Sequence, residues 1–114
     1  MKNRYAGEDI SFGWKRKVNG TYFDFSQYPN MVLYLTDSSG YSVKFSKAVK
    51  TEDYILFTQP DPTTIFGTLP REESAKMKTG PITLWALKDD TDNNRTMFSK
   101  VIFNLLDNPL KSEQ

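Results

Sequence analysis

Apolar positions recur at every second residue through most of this chain. In DISFGWK, Ile10, Phe12 and Trp14 share one face. In TYFDFS, Phe23 and Phe25 lie opposite Tyr22 and Asp24. MVLYLTD sets Met31, Leu33 and Leu35 against Val32, Tyr34 and Thr36, and YSVKFSK sets Tyr41, Val43 and Phe45 against Ser42, Lys44 and Ser46. Period 2 is the spacing of a pleated strand with one buried face, as in antiparallel sheets. DYILFTQ, TTIFGTL, PITLWALK and RTMFSKVIFNLL read as further strands. Turn chemistry separates them. Asn19-Gly20 is a two-residue hairpin signal, and Asp37-Ser38-Ser39-Gly40 supplies a glycine free to take positive φ. Gln59-Pro60-Asp61-Pro62 reads as a rigid turn, and DDTDNN, Asp89 to Asn94, as a polar hairpin loop. Short strands between regular turns predict an all-β sandwich or barrel.

PREESAKMK breaks the period. Pro70 suits a first helical position, where its missing N–H costs nothing. Glu72 and Glu73 then fall in the first turn and Lys76 and Lys78 near the end, each favourable to the helix dipole. Gly80 can terminate the helix in the left-handed region. One short helix is therefore predicted at about 70–78, with Ala75 and Met77 turned toward the core.

Composition narrows the chemistry. The 114 residues fit one domain, which at this size buries roughly 65% of its unfolded surface. There is no Cys and no His, so thiolate ligands, disulfides and the commonest general base are absent. Fifteen basic and 14 acidic residues leave a net charge of +1, no electrostatic footprint for nucleic acid or an anionic membrane. MKNRYAGEDISF has no apolar run, so no secretory signal is expected, and no run of ~18 apolar residues predicts a membrane span.

The remaining polar clusters have ordinary readings. DDTDNN gathers five oxygen-bearing side chains, but Asp and Asn are turn formers and the spacing of a calcium loop is missing. Lys15-Arg16-Lys17 reads as a solvated strand end that guards an edge. Glu72, Glu73 and Asp53 would be the acids for glycoside chemistry, yet adjacent helical glutamates point apart. No enzyme, cofactor or metal is expected.

From Asp9 to Leu105 the layout resembles the Ig-like domain at the N-terminus of phage upper baseplate and tail-fibre proteins. NGTYFDFSQY matches the glycine turn and short plug of that family. MVLYLTDSSGYSVKF matches its strand, polar turn and strand, and ILFTQPDPTTIFGTL its pair around an Asp-Pro turn. PREESAKMKTGPITLWAL matches the helical turn leading into a strand, and DDTDNNRTMFSKVIF the closing hairpin. Lys100 departs from the glycine often found before the last strand.

The resemblance implies an Ig-like antiparallel β-sandwich of seven to eight strands over 9–106. An N-terminal arm (1–8) would precede it and a flexible tail (107–114) would follow, with the helix crossing between the sheets. The expected core is Ile10, Phe12, Trp14, Phe25, Leu33, Leu35, Val43, Phe45, Ile82 and Leu84. The implied role is a non-catalytic structural or adaptor component of a phage or prophage particle, made in the bacterial cytoplasm: baseplate, tail, head fibre or decoration. Its partners would be other virion proteins or copies of itself. A carbohydrate- or receptor-binding Ig-like module, with Tyr22, Tyr28 and Tyr41 as sugar platforms, is the alternative.

In the last hairpin the resemblance implies that Ile82, Leu84 and Ala86 face inward, which leaves Thr83, Trp85 and Leu87 outward. The final strand carries apolar residues on both faces: Met97, Val101, Phe103 and Leu105 on one, Phe98 and Ile102 on the other. Such a strand needs cover on its second face. A bulge near Ser99-Lys100, or cover from the N-terminal segment with Tyr5, would supply it. A subunit interface of Trp85, Leu87, Thr83 and Phe103 would do so equally well.

Overall fold

The computed structural model describes residues 2–47, 54–87 and 96–107. Among them, eleven strand segments appear in the order β1 (Lys2–Tyr5), β2 (Ile10–Trp14), β3 (Lys17–Val18), β4 (Thr21–Tyr22), β5 (Val32–Thr36), β6 (Ser42–Ser46), β7 (Ile55–Leu56), β8 (Thr58–Asp61), β9 (Thr64–Leu69), β10 (Gly80–Leu87) and β11 (Thr96–Leu106). A 3₁₀ turn, Phe25–Gln27, follows β4, and a four-residue helix, α1 (Arg71–Ser74), follows β9. The chain is all-β. The strand count exceeds the seven or eight expected because β3, β4 and β7 are two-residue pieces.

Six strands form one sheet in the order β1-β11-β10-β5-β6-β7, three form a second in the order β2-β9-β8, and β3-β4 is a separate hairpin. The central pairs of the large sheet are antiparallel, but both of its edge pairs, β1 on β11 and β7 on β6, are parallel. That corrects the purely antiparallel expectation. It also places Lys2–Tyr5, read as part of an arm, inside the sheet. The loop 89–94, Asp53 and the tail beyond 107 lie outside the described residues.

Alternation puts one face of each sheet into a shared core. Ile10, Phe12, Phe25, Leu33, Leu35, Val43, Phe45, Ile82 and Leu84 are buried there, joined by Met31, Phe57, Ile65, Leu69, Met77, Ala86, Phe98, Phe103 and Leu105. Trp14 is only half-buried and packs against the rim of this cluster. Phe12 of β2 meets Phe45 of β6 edge-on with ring centroids 5.4 Å apart, a contact that ties the two sheets together. Such a pair adds ~1 kcal/mol beyond its buried area. Gly67, the register partner of Phe12, makes room for that ring: a Cβ there would stand 2.7 Å from Phe12 Cζ. Gly67→Ala is therefore expected to lower stability by about 1–3 kcal/mol, read as a lower urea midpoint at unchanged slope.

The turns show how local chemistry sets the path. Asn19 (φ 52°) and Gly20 (φ 81°) make the β3–β4 turn with both central residues at positive φ, as a two-residue hairpin requires. Pro60 lies within β8 rather than in a turn, at a register shift between Thr58 and Asp61, and a bulge is where a strand tolerates proline. The turn comes later, where the Asp61 carboxylate accepts from the Thr63 amide (2.8 Å) and hydroxyl (2.7 Å).

The helix is shorter than predicted, for a visible reason. Pro70 sits before the first turn as an extended N-cap with no side-chain acceptor, and Asp9 supplies the cap instead, accepting from the Arg71 amide at 2.8 Å. From Lys76 the amides bond only three residues back, and the Lys78 amide donates to Asp37 at 2.8 Å, which takes the chain out of the helix. Gly80 opens β10 at φ 122° rather than capping. Met77 turns inward but Ala75 is exposed. The inward residue of the helix is Ser74, fully buried, whose hydroxyl donates to the Glu8 carbonyl (2.8 Å) and accepts from the Gly7 amide (3.0 Å). The segment does connect β9 of the small sheet to β10 of the large one.

Candidate functional site

The outward face of the large sheet is built from register rows. Lys44, Tyr34, Trp85 and Ser99 form one row across β6, β5, β10 and β11, and Ser42, Thr36, Thr83 and Val101 form the next. Trp85 is 36% exposed and Val101 39%. The Lys44 ammonium lies over the Tyr34 ring at 5.6 Å, and Thr36 and Ser42 share a hydrogen bond at 2.8 Å. The face is therefore a mixed one: an indole and a valine among hydroxyls, with one cation and no carboxylate in these two rows. Among the described residues no group of three or more His, Cys, Asp or Glu side chains is placed to hold a metal. No helix there is long and apolar enough to cross a membrane.

The four residues expected at an interface do not share one fate. Trp85 and Thr83 stand on the outward face. Leu87 shares their side of β10 but is 9% exposed, beside its buried register partner Val32. Phe103 is 3% exposed and belongs to the core, which corrects its outward placement. The cause is a bulge. Ile82 pairs with Phe103 but Thr83 pairs with Val101, so Ile102 is an extra residue and the side-chain parity flips there. Phe98 and Phe103, five residues apart, both reach the core as a result. The bulge at Ile102 thus brings Phe98, Phe103 and Leu105 into one core, while Val101 stays exposed on the outward face.

The other polar candidates are engaged structurally. Glu73 accepts from Tyr41 Oη (2.7 Å) and pairs with Lys76 (3.4 Å), which ties α1 to the β5–β6 turn, while Glu72 is exposed. Lys15 and Lys17 both lie over the Tyr22 ring, at 5.0 and 5.1 Å, and the Arg16 guanidinium covers Phe98 at 4.0 Å. Tyr28 stacks on Phe23 with ring centroids 6.0 Å apart. Tyr22 and Tyr41 are exposed and Tyr28 is half-buried, and each has a different neighbour.

One feature had only a faint signal in the sequence. A groove of about 670 Å³ runs between β2, at the edge of the small sheet, and the β1–β11 edge of the large one. The signal was Lys100, a charge set in the middle of a strand that carries apolar residues on both faces. Comparison with protein-family models, with curated proteins and with solved structures finds no match for this chain.

Proposed function

We propose that this chain is a non-catalytic, Ig-like docking domain that serves as a structural or adaptor component of a phage or prophage particle. The observation that carries the docking role is the outward row of Lys44, Tyr34, Trp85 and Ser99, where an exposed indole stands among hydroxyls with no reactive group beside it. Tryptophan in such a setting is a favoured anchor at protein interfaces. Strand order supports the Ig-like reading. The small sheet β2-β9-β8 follows the B-E-D order, and β11-β10-β5-β6-β7 follows the G-F-C-C′-C″ order of variable-type domains. The virion setting is supported by the resemblance of the sequence pattern to phage baseplate and tail-fibre domains. The partners under this reading are other virion proteins or copies of the chain.

Two measurements test it. Trp85→Asp, at a position 36% exposed on an interior strand, is expected to cost about 1–3 kcal/mol and to leave the domain folded. It should lower the molar mass seen by light scattering, or abolish binding to the neighbouring virion protein. A wild-type monomer whose incorporation into particles is unaffected by Trp85→Asp would remove the docking role from this face. Mass spectrometry of purified particles is expected to find the chain in fixed stoichiometry with the other structural proteins, and its absence from them would overturn the virion role.

A further inference from the structure

The groove beside β2 is bounded by two open strand edges. β2 pairs only with β9, so its other edge has no strand neighbour among the described residues. β1 covers β11 only from Phe103 to Leu106, which leaves Ser99 to Ile102 beyond its reach. The floor between these edges is aromatic: Phe12 and Phe103, 7% and 3% exposed, belong to the core itself. An unpaired edge beside an opening onto the core is the geometry that strand addition uses, with main-chain hydrogen bonds for affinity and alternate side chains for selectivity.

Two cations converge on the same space. Lys100 pairs in register with Leu84, and Arg4 with Leu105, both partners being buried, so the two basic residues sit on the core-facing side of their strands. Both line the groove, and no carboxylate does. The ion pairs among the described residues are Arg71–Asp9 and Lys76–Glu73, so neither Arg4 nor Lys100 has an acidic partner there. A single inward lysine on an edge strand is a known guard against adventitious pairing. Two inward cations facing an apolar floor also select: they repel a basic strand and reward an acidic one.

We infer that this groove receives an extended acidic segment of another protein, added as a strand along β2, with its carboxylates on Arg4 and Lys100 and an apolar side chain over Phe12 and Phe103. The five residues of β2 span ~17 Å, enough for three inward side chains of the added strand. An acid–apolar–acid order at alternate positions matches the cations and the aromatic floor. The inference is independent of the Trp85 face and of the virion setting, and it holds or fails without them.

The test uses the full chain, ¹⁵N-labelled, titrated with the capped peptide GDSVSDG, whose Asp, Val and Asp side chains share one face. Resonances of Ser11 to Trp14 and of Lys100 to Ile102 are expected to shift, and the charge-reversed peptide GKSVSKG to bind at least about tenfold more weakly. Arg4→Glu with Lys100→Glu should invert that preference. Lys100→Ala, milder at an exposed position, should weaken GDSVSDG about threefold or more if the double variant fails to fold. Only alternate amides of an added strand face β2, so N-methylation of one alternating set should abolish binding and of the other should spare it. Equal binding of both peptides, no shift at millimolar GDSVSDG, or indifference to both methylation patterns would overturn the inference. Saturation of the same resonances by acetate alone would make the groove an anion pocket, and concentration-dependent shifts without peptide would assign it to a second copy. Either result also overturns it.

Discussion

Phe25→Ala is expected to cost about 3–5 kcal/mol, a large share of the ~5–15 kcal/mol that holds a domain of this size together. Phe25 is fully buried, and its ring lies 5.9 Å from Trp14 of β2, 5.1 Å from Phe23 and 6.1 Å from Phe98 of β11. It therefore touches both sheets from the 3₁₀ turn between them. Its backbone is held as well: the amide donates to the Pro62 carbonyl at 2.7 Å, and its carbonyl accepts from Lys47 Nζ at 2.9 Å. Truncation would remove the ring while these bonds hold the turn in place, so the cavity could not close by collapse, the condition under which such losses are largest. Urea denaturation of Phe25→Ala, with Tyr22→Ala as an exposed control expected within ~1 kcal/mol, measures the difference. A loss below ~1.5 kcal/mol would show that the turn relaxes into the space.

The second large effect is expected at Asp37. This carboxylate is 6% exposed and accepts four hydrogen bonds: from the Ser39 amide (2.8 Å) and hydroxyl (2.7 Å), the Tyr41 amide (3.0 Å) and the Lys78 amide (2.8 Å). It closes the β5–β6 turn and at the same time ends the helical segment before β10. Asp37→Ala strands up to three backbone donors and is expected to cost about 3–4 kcal/mol; Asp37→Asn, which keeps one acceptor oxygen, about half of that.

The pH dependence separates charge from shape. Burial alone would raise the Asp37 carboxyl, but the hydrogen bonds from Ser39, Lys78 and Tyr41 together outweigh it and hold it below the usual aspartate range. A folded-state pKa below the unfolded value of ~3.9 contributes stability that is complete above that pH and is lost as pH falls through the folded value. The gap between wild type and Asp37→Asn should therefore be widest near neutrality and shrink in acid below about pH 4. Asp9, Asp24 and Asp61 are also lowered, chiefly by hydrogen bonds from Arg71, Ser26 and Thr63 respectively. Total stability will thus fall in acid for several reasons, and only the wild-type-minus-Asn difference isolates Asp37. A difference that stays constant from pH 7 to pH 2 would show that the amide loses shape rather than charge.

These two residues illustrate how far the sequence could be read. Asp37-Ser38-Ser39-Gly40 declares its turn locally, because a carboxylate two residues before an amide needs nothing from elsewhere to form that bond. Its fourth bond, to Lys78, joins residues 41 positions apart, and no local pattern announces it. Phe25 reads as one member of a strand alternation with Phe23. It lies in a 3₁₀ turn because Asp24 accepts from the Ser26 amide and so competes with a sheet ladder. The outward placement of Trp85 followed from period 2 once the family resemblance had set the inward face of β10, whereas the inward placement of Phe103 was not legible, since one extra residue at Ile102 reverses the side-chain parity there.

The sequence by itself determined the all-β class, the buried face of β2, β5 and β6, the Asn19-Gly20 hairpin and the lack of thiol or imidazole chemistry. Each follows from residues within a few positions of one another, because the pleat and the turn are short-range properties of the backbone. Only the tertiary structure decided which strands are edges, that β1 and β7 join in parallel, that Asp9 rather than Pro70 caps the helix, and that Arg4 and Lys100 meet across an open groove. Those outcomes depend on which distant segments pair, and the pleat presents the same hydrogen-bonding edge whatever its neighbour turns out to be.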